Sequence, residues 1–236
     1  MSYPMGSMAK FQHLVCTKDY SGISDFLKSL PKSILFKDQL DRTGFHVAIM
    51  MQNKEMVEFL ISTCTAIDAE EEKEWADKAA AASTEAQPPS TEPKTGEATG
   101  ESSEAPPSPS PPEPPPKPVK LLERMLACKY ERYPNVNLAS IGLNFDDERA
   151  ANAEGIMKAI LNNRAEVDEE DCNGWTALHL AAKAGNLSTC KFLLEKGFDA
   201  NKMDVWGWWP LHYALEARNM EVIKLLVPLC DKTRDF

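Results

Sequence analysis

The sequence has no run approaching the about 18 consecutive apolar residues that cross a bilayer, so no membrane span is expected. Its first residues lack both a basic segment and an apolar run, and no leader is expected. Met5-Gly6 does not start a myristoylation signal, because Lys10 stands where Ser or Thr is needed. None of the six cysteines, Cys16, Cys64, Cys128, Cys172, Cys190 and Cys230, belongs to a CxxC pair. Their scatter reads as small buried or half-buried side chains in a reducing compartment, cytoplasmic or nuclear. Strongly basic stretches are also missing: Pro114–Lys120, free of acids and with two lysines, is short and bound by prolines. With a net charge of −10, the surface repels phosphate backbones, and nucleic acid is not an expected partner. No Gly-rich phosphate loop, metal-ligand cluster or nucleophile–base pairing is found, so no enzyme, cofactor or metal is expected.

What is present is a repeat. Asp171-Cys-Asn-Gly174-Trp-Thr-Ala-Leu-His179 and Asp204-Val-Trp-Gly207-Trp-Trp-Pro-Leu-His212 share Asp, Gly, Leu and His at a spacing of 33 (204 − 171, 212 − 179). Ala181 matches Ala214, and Leu193-Leu194 falls over Leu226-Val227. A long period shared by many positions marks a stacked supersecondary unit. Asp-x-x-Gly makes a tight turn in which Gly174 and Gly207 are free to take positive φ. Thr176 stands as the N-cap of a short helix, and Pro210 fits a first helical turn. Trp209 replaces the capping Thr in the last unit, which weakens that cap by about 1 kcal/mol.

This pattern resembles the ankyrin repeat over Asp171–Asn201 and, less completely, over Asp204–Leu229. Working backward, Asp38-Gln-Leu-Asp41-Arg-Thr43-Gly-Phe45-His46 fits with Asp in the Gly position and Gly in the Pro position. His13 and Leu27 precede His46 and Leu60 by 33 and define a degenerate first unit. Glu154–Val167 fits a second helix of a third unit, whose histidine position (179 − 33) is Asp146. The resemblance implies an all-α ankyrin-repeat solenoid of about five units, two degenerate, interrupted by a long insert. In that reading His13, His46, His179 and His212, all the histidines of the chain, occupy one structural position and hold adjacent turns together. Thr43, Thr176, Gly174 and Gly207 complete the structural motif.

The organisation follows. Residues 8–68 hold units one and two, 69–118 are an acidic and then Pro-rich insert, 119–137 an amphipathic helix and loop, and 138–236 units three to five. The acidic run 69–82 reads as solvated and partly helical, able to extend the preceding helix. The tract 87–118 is too rich in Pro, Ser, Thr and Glu to bury a core and is expected to be disordered. The helix near 119–133 is expected to pack on the solenoid, and an alternative is that it replaces the first helix of unit three. Two N-terminal units alone are too few for stability, so one continuous stack is preferred over two domains.

The resemblance places partner contacts on turn tips and first helices. The positions transferred are Gln39, Leu40, Arg42, Val47, Met50 and Met51 in unit two. Unit four supplies Cys172, Asn173, Trp175, Leu180, Lys183 and Ala184. Unit five supplies Val205, Trp206, Trp208, Tyr213, Glu216 and Ala217. Exposed tryptophans are frequent hot spots, but a cluster that merely stiffens the end of the stack is equally compatible. The expected function is a non-enzymatic protein-interaction module, an adaptor or regulator, with a monomeric array favoured. The alternative is a scaffold acting through Pro112, Pro115 and Lys117, which fit P-x-x-P-x-K, a polyproline ligand of SH3-type grooves.

Overall fold

A computed structural model describes residues 5–85, 119–130, 133–144, 147–163 and 169–230. Among these residues the chain forms eleven α-helices and no strand. They are α1 (Met5–Thr17), α2 (Tyr20–Ser29), α3 (Gly44–Met50), α4 (Lys54–Glu85), α5 (Leu121–Ala127), α6 (Asn135–Ser140), α7 (Asp147–Asn162), α8 (Ala177–Ala184), α9 (Leu187–Glu195), α10 (Pro210–Glu216) and α11 (Met220–Leu226). Three short 3-10 segments follow α2, α6 and α11. No helix among the described residues is long and apolar enough to cross a membrane.

Helices pair as α1 with α2, α3 with α4, α6 with α7, α8 with α9, and α10 with α11. The first helices of these pairs lie side by side in chain order, α1 on α3, α3 on α6, α6 on α8 and α8 on α10. Among second helices α2 packs on α4, α4 on α7, and α9 on α11. One buried apolar cluster runs through the pairs, from Phe11, Ile23 and Leu27 through Phe45, Leu60, Leu138 and Ile156 to Leu178, Leu211 and Leu226. Small residues such as Ala48, Ala139, Ala181 and Ala214 are fully or nearly fully buried and let first helices approach closely.

Four of the second helices, α2, α4, α9 and α11, open on an Asx cap. Asp19 accepts from Gly22 N, Asn53 from Met56 N, Asn186 from Thr189 N and Asn219 from Val222 N. The residue just before each cap is left-handed: Lys18, Gln52, Gly185 and Arg218. A side chain at Gly185 would collide with Asn219, whose Nδ2 donates to the Gly185 carbonyl at 2.9 Å.

These caps correct the register of the first unit. Asp19 and Asn53 are 34 residues apart, not 33, so the residue equivalent to His46 is Gln12. Gln12 donates to the Arg42 carbonyl at 3.5 Å and to Asp38 at 3.1 Å. His13 is exposed on α1, and the reading of it as a structural motif residue fails. The physical reason is that α1 runs on without a turn ahead of this position, so there is no neighbouring N-cap for an imidazole to bond.

In unit three the equivalent position is Asn137, third residue of α6, and not Asp146, which lies outside the described residues just ahead of α7. Asn137 Nδ2 donates to the Trp175 carbonyl at 2.6 Å. His179 Nε2 makes the same bond to the Trp208 carbonyl at 3.2 Å. In both cases the acceptor is the residue that precedes the N-cap of the next first helix. His46 Nε2 instead reaches the Cys128 carbonyl at 3.2 Å, at the end of α5. The other imidazole nitrogen, Nδ1, accepts the N-cap amide of its own helix: Thr43 for His46, Thr176 for His179 and Trp209 for His212. Because Nδ1 accepts, Nε2 carries the proton.

α5 does not replace the first helix of unit three. It packs on α4 and on the 3-10 segment Pro31–Leu35, and α6 fills the first-helix place. The boundary expected at 137/138 therefore cuts α6, and α4 runs without a break through residue 69. Asp68 in α4 accepts from the amides of Leu121 and Leu122, capping α5 from across the insert. Asn135 Nδ2 donates to the carbonyls of Leu126 and Cys128, closing the other end of α5. Both bonds satisfy backbone groups that a short helix leaves open.

Two measurements test this register. Replacing His13 by Ala should change stability by less than about 0.5 kcal/mol, while Asn137→Ala should cost about 0.5–1.5 kcal/mol in urea unfolding, because it removes the side-chain bond between units although the Trp175 carbonyl keeps its bond from the Asp171 amide. Burial disfavours the charged imidazolium of His46 and His179 and holds both pKa values below the ordinary histidine range. The unfolded chain then takes up protons first as pH falls, so stability should decline from about pH 6.5 downward. The paired His46→Asn and His179→Asn variant should flatten that decline between about pH 7.5 and 5.5.

Candidate functional site

The exposed tips of units four and five are two turns anchored by aspartates. Asp171 Oδ1 accepts from the amides of Asn173 (2.8 Å) and Trp175 (2.9 Å). Asp204 Oδ1 accepts from those of Trp206 and Trp208, both at 2.9 Å. In unit two Asp38 does the same for Leu40 and Arg42, both at 2.9 Å. Gly174 and Gly207 are left-handed, and Asp41 takes that conformation in the glycine position at φ 60°, within 2.7 Å of Lys37. The amide of Val205 donates to the Asn173 carbonyl at 3.0 Å, so neighbouring tips are stitched together.

Beneath these tips lies a second layer. Asp204 Oδ2 accepts from the Trp175 indole N–H (3.1 Å) and the Tyr213 hydroxyl (2.5 Å), and the indole also lies 2.9 Å from the Tyr213 oxygen. Burial works against the Asp204 carboxylate, but donors from Tyr213, the Trp208 and Trp206 amides and Trp175 outweigh it and hold its pKa below the usual range. Burial, and then the bond to Asp204, push the Tyr213 phenol upward. At neutral pH this is a carboxylate held by neutral donors. Tyr213 stands edge-on to Trp175 (5.2 Å between ring centres) and tilted against Trp208 (5.3 Å), while Trp206 meets Trp175 edge-on at 6.2 Å.

The sequence-predicted contact residues divide accordingly. Trp206 and Trp208 are 60% and 41% exposed and form the outer face. Lys183 and Glu216 are exposed beside them. Trp175 and Asn173 are half-buried, tied into the turns. Tyr213 is buried at 5% exposure and its hydroxyl is bonded to Asp204, so its place as a contact residue is corrected to that of a support. Arg42 is half-buried with its guanidinium on Asp38, at 2.9 and 2.8 Å. Met50 and Met51 are exposed at the end of α3 and line a cleft of about 390 Å³ with Gln52, Leu138, Ile141, Gly142 and Arg149. Ile141, exposed just after α6, was not legible as a surface candidate, because α6 was not recognised as the first helix of unit three. Pro112, Pro115 and Lys117 lie outside the described residues.

His46 and His179 are poorly suited to catalysis. Both nitrogens of His46 and of His179 are engaged, which leaves no lone pair for a proton or metal. Burial pushes the thiols of Cys64 and Cys190 up to about 12, far from the thiolate form. Among the described residues, no three His, Cys, Asp or Glu side chains converge to hold a metal ion.

The layering predicts unequal effects of two tryptophan substitutions. Trp175→Phe should lower stability by about 1–2 kcal/mol, since Asp204 loses a buried donor. Trp206→Ala should change it by less than about 0.5 kcal/mol. Urea titrations of the two variants compare them directly, and the reverse order would mean that Trp206 holds the cluster together.

The Asp-anchored turns, the histidines that bond their N-cap amides and the paired short helices form a repeated unit. Residues 148–235 match the profile of ankyrin repeats, in three copies. A search of curated proteins gives no match. Residues 148–235 of this chain thus carry ankyrin repeats.

Proposed function

We propose that this chain is a non-enzymatic adaptor or regulator that binds a partner protein through the turn tips and concave face of a single array of five ankyrin-like units. Ankyrin repeats suggest a protein-interaction module. The observation that carries the specific reading is the outer aromatic face. Trp206 and Trp208 are exposed, yet their backbone is pinned by Asp204 and their rings rest on Trp175 and Tyr213. A large apolar surface that is rigid before binding loses little entropy on docking, which is what a hot spot requires.

The single-array reading is supported by the contacts of α3 with α6 and of α4 with α7, and by the bond that Gln52 Nε2, just after α3, donates to the Ala139 carbonyl of α6 at 3.4 Å. The methionine cleft at the α3–α6 junction fits an apolar side chain of the partner. The scattered cysteines suit a reducing compartment, cytoplasmic or nuclear.

The double variant Trp206→Ala with Trp208→Ala should keep its melting temperature within a few degrees and lose the proteins captured by the wild type in quantitative affinity purification. Deleting residues 87–117 should leave that set unchanged. Capture that survives the tryptophan substitutions but disappears on the deletion would transfer the function to the Pro-rich segment.

A further inference from the structure

The aromatic face has an electrostatic sign. Lys183, on α8, holds its ammonium 4.8 Å from the centre of the Trp175 ring and 5.8 Å from that of Tyr213. Both distances lie within the range of cation–π attraction. The rings are also polarised from behind. The Trp175 N–H and the Tyr213 O–H both point at the Asp204 carboxylate, and donation to an anion enriches the ring faces in electron density. Every hydrogen-bond donor to Asp204 is neutral, so no counter-ion cancels its charge. Glu216 lies near enough to bear on the Tyr213 phenol. Lys202, two residues before Asp204, is already paired with Glu170 at 2.5 Å. Lys183 thus lies on a surface whose rings and carboxylates favour positive charge. Trp206 and Trp208 offer further exposed ring area beside it.

We infer that this aromatic face is a cation site, which receives a lysine or arginine side chain from a basic segment of the partner, and that Lys183 is its resident occupant in the free protein. The inference rests on the proposed use of the tips for partner binding and adds the chemistry of the partner. The incoming cation displaces Lys183 from the Trp175 face or stacks beside it on Trp208. An arginine is favoured over a lysine, because a planar guanidinium stacks on an indole and is more weakly hydrated than an ammonium. An acidic partner segment would instead use Lys183 as its ion-pair partner, and the two cases predict opposite effects of removing that lysine.

The test uses the full chain and capped peptides Gly-Ser-Arg-Ser-Gly and Gly-Ser-Glu-Ser-Gly, with the indole N–H signals of the tryptophans followed by NMR. The arginine peptide should shift the signals of Trp175 and Trp208, and Lys183→Met should tighten its binding at least about threefold by vacating the ring faces. Trp208→Leu should weaken it by a similar factor, about threefold or more. No shift with the arginine peptide would overturn the proposal, as would weaker or unchanged binding to the Lys183→Met protein. Shifts produced by the glutamate peptide and lost in Lys183→Met would assign the surface to an acidic partner. Unchanged arginine-peptide affinity in Trp208→Leu would show attraction to the acidic chain at large and not to this site. If the peptide result is negative while Trp206→Ala with Trp208→Ala still abolishes partner capture, the binding surface stands and only its cationic specificity falls.

Discussion

A helical pair of this length cannot bury its own apolar face, so the array depends on how one pair is joined to the next. Part of that joint is packing, and packing alone is tolerant of sliding. The directional part is a side-chain N–H on the first helix that reaches the carbonyl just ahead of the following first helix. His179 and Asn137 make it in the same way, and Gln12 makes it more loosely. An N–H at the right reach is all this bond requires, which explains why three residue types serve. The second task, accepting the helix's own N-cap amide, selects histidine where that amide exists, as at Thr43, Thr176 and Trp209. Unit three has Pro134 at its N-cap, which carries no N–H. No acceptor is needed there, and an asparagine is sufficient.

The same economy of polar groups shapes the tips. One carboxylate oxygen of Asp204 closes its own turn, and the other binds Trp175 and Tyr213 from two different helical pairs. The aromatic face is therefore held by a buried acceptor and by the amide link from Val205 to Asn173, not by the exposed rings themselves. Trp206 and Trp208 are left as surface, supported from below. The buried cluster and the exposed aromatic surface are successive layers of one structure.

The insert shows how a long interruption is made compatible with the array. Asp68 and Asn135 cap the two ends of α5, one from each side of the interruption, and His46 reaches the Cys128 carbonyl that Asn135 also binds. These bonds seat α5 beside the stack and leave α6 free to pack between α3 and α8.

Units four and five were readable in the sequence because their turn chemistry is local. Asp, Gly, the N-cap residue and histidine lie within nine residues, and each is required by the backbone of its own turn. The helix pattern, the Asp41 substitution and the tryptophan-bearing tips were legible for the same reason. The positions of Gln12 and Asn137 were not. Their role is defined by a carbonyl about 30 to 40 residues away in the next unit, and any side chain with an N–H of suitable length meets it. A spacing rule of 33 therefore selected His13 and Asp146, one residue and nine residues from the true positions. Whether a tryptophan is support or surface was likewise decided only by the tertiary structure. Trp175 and Trp208 hold the same position in their turns, but Trp175 has a following unit to supply Asp204 and Tyr213, while Trp208 is left 41% exposed.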